Sequence, residues 1–250
     1  MKSSKLLQRL IAILVWLFIW QLASMYVSQE MLLASPVSVA KTLLQLLCEA
    51  SFWQRVLFSL SRVALGFGYA FFCGILLAAL SGRFSAVRIL LNPLMSVVKA
   101  APVASYVILC LFFLPSRQLS TLISFLMALP IIYTNILSGL DSTDRKLLEM
   151  AHVFRVSFPR KIIYIYFSQL MPFLISACSL SLGMCWKAGI AAEVIGMPKG
   201  SIGEMLYQAK IFLDSPSLIA WTIVVIAVSF LFERAFLALL RRLSVAIEHR

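Results

Sequence analysis

Long apolar runs recur along this chain, and they constrain its fold more than any other feature. A helix needs about 20 consecutive, mostly apolar residues to cross the hydrocarbon of a bilayer. Six segments come close to that length or exceed it: 10–27, 56–80, 89–114, 119–139, 162–186 and 215–232. The chain is therefore predicted to be all-α, a polytopic membrane helix bundle that crosses the bilayer about six times and forms one domain over residues 1–250.

The composition agrees with a lipid environment. Hydrophobic residues make up 62% of the chain and charged residues only 13%, with a mean hydropathy of +0.96. A soluble domain is about 45–50% apolar and about 25% charged, so much of this surface must face lipid. The five cysteines form no CxxC pair and are interpreted as small buried side chains. No metal site and no cofactor are predicted.

The basic residues predict the orientation in the membrane, because cytoplasmic loops of membrane proteins are rich in lysine and arginine. With the N-terminus inside, fourteen such residues fall in cytoplasmic segments and five in outer segments. Arg62, Lys99 and Lys187 lie within spans. Both termini are therefore expected in the cytoplasm, and the net charge of +12 implies no nucleic acid partner.

Two outer segments are predicted to form short helices that lie on the membrane rather than cross it. Ser35 followed by Pro36 is typical of a helix start. Ser201 with Glu204 three residues later fits a capping box. Such helices are ordinarily interfacial; alternatively, they form an external rim on which a solute-delivering protein sits.

The cytoplasmic stretch 141–161 is predicted to contain a short amphipathic helix. An acid at Asp144 suits the first turn of a helix that is capped by Ser142 or Thr143. Apolar side chains then recur at helical spacing, at Leu147, Leu148, Ala151 and Phe154. A helix between two spans has nothing of its own chain to cover this stripe, so it either rests on the membrane surface or docks on a partner.

The same stretch resembles the EAA loop of permease subunits in binding-protein-dependent ABC importers. The resemblance lies in Glu149-Met150-Ala151, with Arg155 six residues after the glutamate and Pro172 twenty-three after it. Further blocks resemble the nitrate/sulfonate/taurine branch of that family, at 33–36, 59–67, 99–102 and 186–196. The similarity extends over about residues 32–242.

The resemblance implies a type I ABC importer permease fold in the inner (cytoplasmic) membrane. Segment 145–155 would be a coupling helix that places Leu148, Ala151 and Phe154 in a groove of a separate ATPase, with Glu149 and Arg155 beside them. The implied partners are two ATPase copies, a second permease copy and an external solute-binding protein. Members of this branch carry taurine, alkanesulfonates, nitrate or thiamine precursors, and the sequence does not choose among these solutes.

The chain departs from the family loop at three positions. Arg155 stands where the family has glycine, Met150 replaces the second alanine, and Ser168 replaces the first proline. Either Arg155 adopts a left-handed conformation, at a cost of about 1 kcal/mol, or the helix breaks at 157–159, because proline disfavours helix in the residue before it. We favour the second alternative.

Four residues are candidates for the translocation path: Lys99, Pro102, Trp186 and Lys187. A charge within the membrane normally faces a partner or water. Each lysine therefore either lies near an interface and snorkels or lines a path for an anion. Glu193 is a candidate salt-bridge partner for Lys187.

The sequence also weighs against two other classes of membrane protein. No phosphate-binding loop of the GxxxxGK[ST] type occurs, so this chain is predicted to be a non-catalytic subunit whose partner hydrolyses ATP. A metalloenzyme lacks ligands, because His152 and His249 both fall outside the spans. An ion-coupled secondary carrier is the main alternative; it needs acids in mid-membrane, whereas every Asp and Glu is predicted to lie outside the spans or at their ends.

Overall fold

The computed structural model describes residues 2–27 and 31–248, and helices occupy most of both ranges, which contain no strand. In chain order the helices are α1 Lys2–Val27, α2 Pro36–Cys48, α3 Ala50–Arg83, α4 Ser85–Ala100, α5 Val103–Leu111, α6 Ser116–Asp141, α7 Arg145–Val153, α8 Phe158–Lys161, a π-helical segment Ile162–Phe167, α9 Ser168–Gly196, α10 Ile202–Ile211 and α11 Ser215–Glu248.

Within the described ranges, four helical segments are long and apolar enough to cross a membrane: Ala50–Arg83, Ser116–Asp141, Pro159–Gly196 and Ser215–Ser244. A fifth crossing results if α4 and α5, which meet at an angle of 98°, form one broken span. The first predicted span falls on α1, whose apolar part Ile11–Val27 is shorter than these four. The all-α membrane bundle is confirmed, and its helix count is close to the predicted six.

Helices α3, α6 and α9 form the centre of the bundle, and small residues let them approach closely. A methyl group on Gly66 of α3 would lie 2.3 Å from the carbonyl oxygen of Thr121 in α6. A methyl group on Gly189 of α9 would lie 2.6 Å from the Ser124 hydroxyl of α6. Glycine at such points is how membrane helices gain van der Waals contact without a hydrophobic driving force.

Helix α11 runs along α3 in the same direction. The rings of Phe52 and Trp221 have centroids 5.1 Å apart, and those of Phe67 and Phe236 are 4.9 Å apart. Helix α1 lies at the edge of the bundle, where the Trp20 indole donates a hydrogen bond to the Ala34 carbonyl (3.1 Å). Most apolar side chains of α1 that the structure describes are exposed, as expected of a helix in contact with lipid.

The two short helices begin where the sequence predicts. Ser35 caps α2 by accepting a hydrogen bond from the Ser38 N–H, and Pro36 occupies the first helical position. Ser201 caps α10 by accepting from the Glu204 N–H at 3.0 Å, while the Glu204 carboxylate accepts from the Gly200 N–H at 2.7 Å. Both caps satisfy N–H groups that a helix start leaves unpaired.

The cysteines were expected to be buried, and this is wrong for two of them. Cys178 and Cys185 of α9 are buried, whereas Cys48 and Cys73 are exposed and Cys110 is partly buried. Cys73 faces outward from α3 at membrane depth, where lipid rather than protein covers a small apolar side chain without cost.

Candidate functional site

The segment between α6 and α9 begins with a capped helix that is tied to the bundle. Asp144 accepts a hydrogen bond from the Lys146 N–H (2.8 Å) and is itself the N-cap of α7, one or two residues later than the caps predicted at Thr143 or Ser142. The Asp144 N–H donates to the side-chain carbonyl of Gln169 in α9 at 3.0 Å. This bond fixes the start of α7 against the start of α9.

The predicted docking face of α7 divides into two. Ala151 is only 2% exposed, and Leu148 is half-buried, so both pack against their own chain instead of remaining open for a partner. Phe154 is 73% exposed. Ala151 therefore does not share an open face with Phe154, and Leu148 shares it only in part. That these side chains dock on an ATPase stays a prediction.

A different apolar stripe is open on α7. Leu147, Met150 and Phe154 are all exposed and lie at spacings of three and four residues, which places them on one helical face. We call these three residues the α7 stripe. Glu149 is exposed on the flank of the helix, about 100° around it from Met150, and no pairing is seen for it among the described residues. An exposed apolar stripe of this kind is unusual outside a membrane or an interface.

A concave surface continues the α7 stripe towards the next helix. It encloses about 470 Å³ and is lined by Met150, Ala151, Phe154, Arg155, Val156, Ser157, Arg160, Tyr164 and Ile165. Arg155 and Arg160 are exposed at this surface. Its chemistry is therefore an apolar floor with basic groups, which suits a partner that presents an apolar knob and acidic side chains.

Arg155 ends α7 in a left-handed conformation, with φ of 52°. The Val156 N–H donates to the Ala151 carbonyl (2.9 Å) and the Arg155 N–H donates to the His152 carbonyl (3.0 Å), which is the Schellman pattern of a helix end. The favoured break at 157–159 is therefore wrong, and the left-handed alternative is the one observed. Two hydrogen bonds to otherwise unpaired carbonyls compensate for the strain of a non-glycine residue.

Replacing Arg155 with glycine should tighten this helix end. Glycine removes a left-handed strain of about 1 kcal/mol, which corresponds to about a fivefold change in a local opening equilibrium. We expect hydrogen exchange at the Arg155 and Val156 amide positions to slow by about that factor. Leu213→Gly is the matched control, since Leu213 is left-handed (φ 55°) at the end of α10. This control should slow exchange at the end of α10 and leave exchange in α7 unchanged. If either variant slowed exchange equally at the ends of α7 and α10, the effect would not be local strain.

Lys99 and Pro102 lie at the break between α4 and α5. Pro102 caps α5, and Ala101 before it is extended (ψ 139°), as proline requires of the residue that precedes it. The Lys99 ammonium donates to the Thr134 hydroxyl of α6 at 3.1 Å. Lys99 is nevertheless exposed, so this single bond leaves its charge accessible.

Lys99 belongs to a continuous polar surface that the sequence analysis missed. On α4 it includes Arg88, Asn92, Ser96 and Lys99, and on α6 Thr134, Ser138 and Asp141. We call these seven residues the α4/α6 polar face. At its far end the Arg88 guanidinium makes a bidentate salt bridge to Asp141, at 3.0 and 2.6 Å. Polar residues at spacings of three and four in two apolar runs were the signal that could have revealed it.

Trp186 and Lys187 line a different surface from Lys99. They border a cavity of about 460 Å³ between α9 and α11, together with Thr222, Ser229 and Glu233. The Trp186 indole N–H is buried and has no hydrogen-bond partner among the described residues. The Glu233 carboxylate accepts from the Ser179 hydroxyl at 2.7 Å. This cavity therefore presents donors and an acceptor, rather than one sign of charge.

The salt bridge expected between Glu193 and Lys187 is not formed. Its side chain is fully buried and accepts hydrogen bonds from the Ser59 hydroxyl (2.7 Å) and the Gly203 N–H (3.3 Å). The Ser59 hydroxyl in turn accepts from the Ile202 N–H at 3.0 Å. Glu193 thus fastens α10 to α3 and α9.

Acidic residues lie within two membrane-length helices. Glu193 lies three residues before the end of α9, as expected of an acid at the end of a span, whereas Glu233 lies further inside α11 and departs from that expectation. Among the described residues, no group of three or more His, Cys, Asp or Glu is placed to hold a metal ion.

Comparison with known proteins identifies relatives of this architecture. A family model described as the binding-protein-dependent transport system inner membrane component matches residues 70–245. The putative aliphatic sulfonates transport permease protein of Bacillus subtilis is 25% identical over 228 residues, 90% of this chain and 81% of that protein. The taurine transport system permease protein of Escherichia coli is 25% identical over 236 residues, 92% of this chain and 84% of that protein. A nitrate import permease protein of Synechocystis is 26% identical over 258 residues, 99% and 92% respectively.

Proposed function

The chain belongs to the family of inner membrane components of binding-protein-dependent transport systems, and from that premise we propose that it forms the solute path of an ATP-driven importer and docks a separate ATPase through α7. At the coarser level, it is a multi-pass transport permease, similar to permeases of the nitrate, sulfonate and taurine branch. The resemblance drawn from the sequence is confirmed at that level.

The observation that carries the ATPase proposal is the exposed α7 stripe. Met150 and Phe154 leave apolar area open at a helix that connects two spans, beside the basic surface of Arg155 and Arg160. A helix that inserts its apolar side chains into a groove of a partner is a common recognition mode. Glu149 is placed to make a charged contact at the rim of such a groove.

The α4/α6 polar face supports a translocation path. Polar side chains in a membrane helix are costly against lipid, so they normally face a cavity, a pathway or another subunit. Two copies of the chain that meet across this face would place two Lys99 side chains beside one path. The named relatives transport sulfonates, taurine and nitrate, all of which bear a negatively charged group, and Lys99 suits a solute of that class.

The remaining parts of the assembly follow from the two ends of the bundle. Helix α7 and both termini of the chain would lie on the cytoplasmic side. Helices α2 and α10 would form an external rim for a solute-binding protein. The buried contacts of Glu193 would keep that rim rigid against α3 and α9. An ion-coupled carrier is not favoured. Glu193 and Glu233 could supply the acidic groups that such a carrier needs, but the family match assigns the chain to binding-protein-dependent transport.

The proposal predicts a defined assembly. A tagged chain that is purified gently from its own membranes should carry an ATPase, and native mass spectrometry should give two permease chains for two ATPase chains. Addition of salt should not dissociate the complex fully, because apolar contacts at α7 are not screened. Recovery without any ATPase would contradict the coupling role, and one permease chain per two ATPases would contradict the paired path.

A further inference from the structure

Two arginines from different helices meet at one aromatic ring near the α2 and α10 end of the bundle. The guanidinium carbon of Arg62 lies 5.3 Å from the centroid of the Phe58 ring, and that of Arg117 lies 5.6 Å from it. No carboxylate of the described residues forms a salt bridge with either arginine. Both positive charges therefore lie beside the Phe58 ring, and neither is ion-paired with a carboxylate of the described residues.

An apolar groove runs from Arg62 along α3 and α6, and Arg117 lies outside its lining. It encloses about 560 Å³, with Arg62 and Gln118 among its polar lining residues; the others that line it are Leu65, Tyr69, Cys73, Leu114, Thr121, Leu122 and Phe125. The Thr121 hydroxyl has no hydrogen-bond partner among the described residues. The groove thus combines a cationic, donor-rich end with a mainly apolar length.

The dimensions of the groove match one leaflet of a bilayer. Arg83 lies 21 positions after Arg62 on α3, a distance of about 32 Å along a helix, and the hydrocarbon of a bilayer is about 30 Å thick. Arg62 and Arg83 are therefore spaced to lie at the two opposite headgroup levels. Cys73, at the other end of the groove, lies about 16 Å from Arg62 by the same rise per residue.

The groove lies on the opposite side of α6 from the α4/α6 polar face. Phe125 lines the groove and Thr134 belongs to the polar face, and they are nine residues apart. At about 100° per residue, nine residues make about two and a half turns, so the side chains of Phe125 and Thr134 point in opposite directions. If the polar face meets the path, the groove faces the surrounding lipid.

We propose that this groove binds an anionic phospholipid, whose phosphate contacts Arg62 and Arg117 while one acyl chain lies along Leu65 and Tyr69. Guanidinium groups match phosphate oxygens in geometry as well as in charge. The charges also disfavour a second copy as the occupant. A symmetric contact through the groove would bring the arginines of two chains together in a medium of low dielectric constant.

The test compares lipids on the purified full chain with any bound subunits retained. Dioleoylphosphatidylglycerol or dioleoylphosphatidylcholine is titrated into the detergent solution, and native mass spectrometry counts the lipids that remain bound. We expect the wild-type chain to retain phosphatidylglycerol. The double variant Arg62→Gln, Arg117→Gln should weaken that retention about tenfold, because charge-assisted hydrogen bonds are lost. Retention of phosphatidylcholine should be lower and unaffected by the substitutions.

Two further variants separate the proposal from simpler effects. Lys199→Gln with Lys210→Gln removes the same charge from the same end of the bundle and should leave retention unchanged. Leu65→Trp fills an exposed part of the groove, keeps both arginines and should also weaken retention. Equal retention by the arginine variant and the wild type would overturn the proposal. Displacement of the lipid by millimolar inorganic phosphate would also overturn it, because that result would indicate an anion site alone. A change in the oligomer mass of the arginine variant would overturn it too, because that result would indicate a subunit contact.

Discussion

Replacing Phe154 with alanine should weaken ATPase docking about tenfold or more. Phe154 is 73% exposed on the α7 stripe, and burial of a large apolar side chain stabilises a contact by about 1.5–3 kcal/mol, where about 1.4 kcal/mol corresponds to a factor of ten. We expect uptake to fall in parallel, while membrane levels and permease pairing stay normal. The measurement is the affinity of the purified permease for its ATPase, together with solute uptake in cells.

His152→Ala is the matched control for this experiment. His152 is exposed on the same helix and lies two residues from both Met150 and Phe154, which places it on the opposite side of α7 from the stripe, so its truncation should change docking little. Ala151→Asp is not a clean test, because Ala151 already packs within its own chain and an aspartate there would disturb α7 itself. A normal affinity for Phe154→Ala, or an equal loss for His152→Ala, would show that α7 does not dock through this stripe.

Replacing Lys99 with methionine should lower the uptake of a negatively charged solute at least tenfold at low solute concentration. Hydrogen bonds that involve a charged group contribute about 1.5–3 kcal/mol, and about 1.4 kcal/mol is a factor of ten. Lys99 is exposed and makes a hydrogen bond to the Thr134 hydroxyl, so the fold does not depend on its charge. ATPase docking should remain normal, because α7 is unchanged. Lys99→Arg should retain most uptake.

Lys187→Met is the comparison that locates the path. Lys187 borders the cavity between α9 and α11, which also contains Glu233, and lies on a surface separate from the α4/α6 polar face. If the path follows the polar face, this variant should transport nearly as well as the wild type. The reverse result, with Lys187→Met inactive and Lys99→Met normal, would move the path to the α9/α11 cavity.

The apolar runs predicted the membrane helices because their length is dictated by the thickness of the hydrocarbon. They did not predict the bend of 98° within the third run. Pro102 was visible in the sequence, yet Pro93, Pro130 and Pro172 lie inside helices that continue through them. Whether a proline ends a helix depends on the packing that compensates for its lost hydrogen bond, and one sequence does not show that packing.

The helix of the candidate site was predicted in its position but not in its orientation. Helix α7 has apolar residues on more than one side, so its spacing alone could not tell which of Leu147, Leu148 and Ala151 would face the chain. The bond from the Asp144 N–H to Gln169, across 25 residues, fixes that choice. The sequence alone did not favour a left-handed Arg155, because the compensating Schellman hydrogen bonds are visible only once Val156 has turned back towards Ala151.

The π-helical segment Ile162–Phe167 sets the phase between α8 and α9, which it joins into one rod. Its hydrogen bonds span five residues instead of four, so the segment holds one residue more than an α-helical stretch that turns through the same angle. Deletion of a single residue there would restore α-helical bonding and leave α8 and α9 in almost the same rotational phase. The start of α7 would keep its position as well, because it is bonded to Gln169 of α9. The chain between the docking surface and the membrane core can therefore change in length by one residue during evolution without turning that surface.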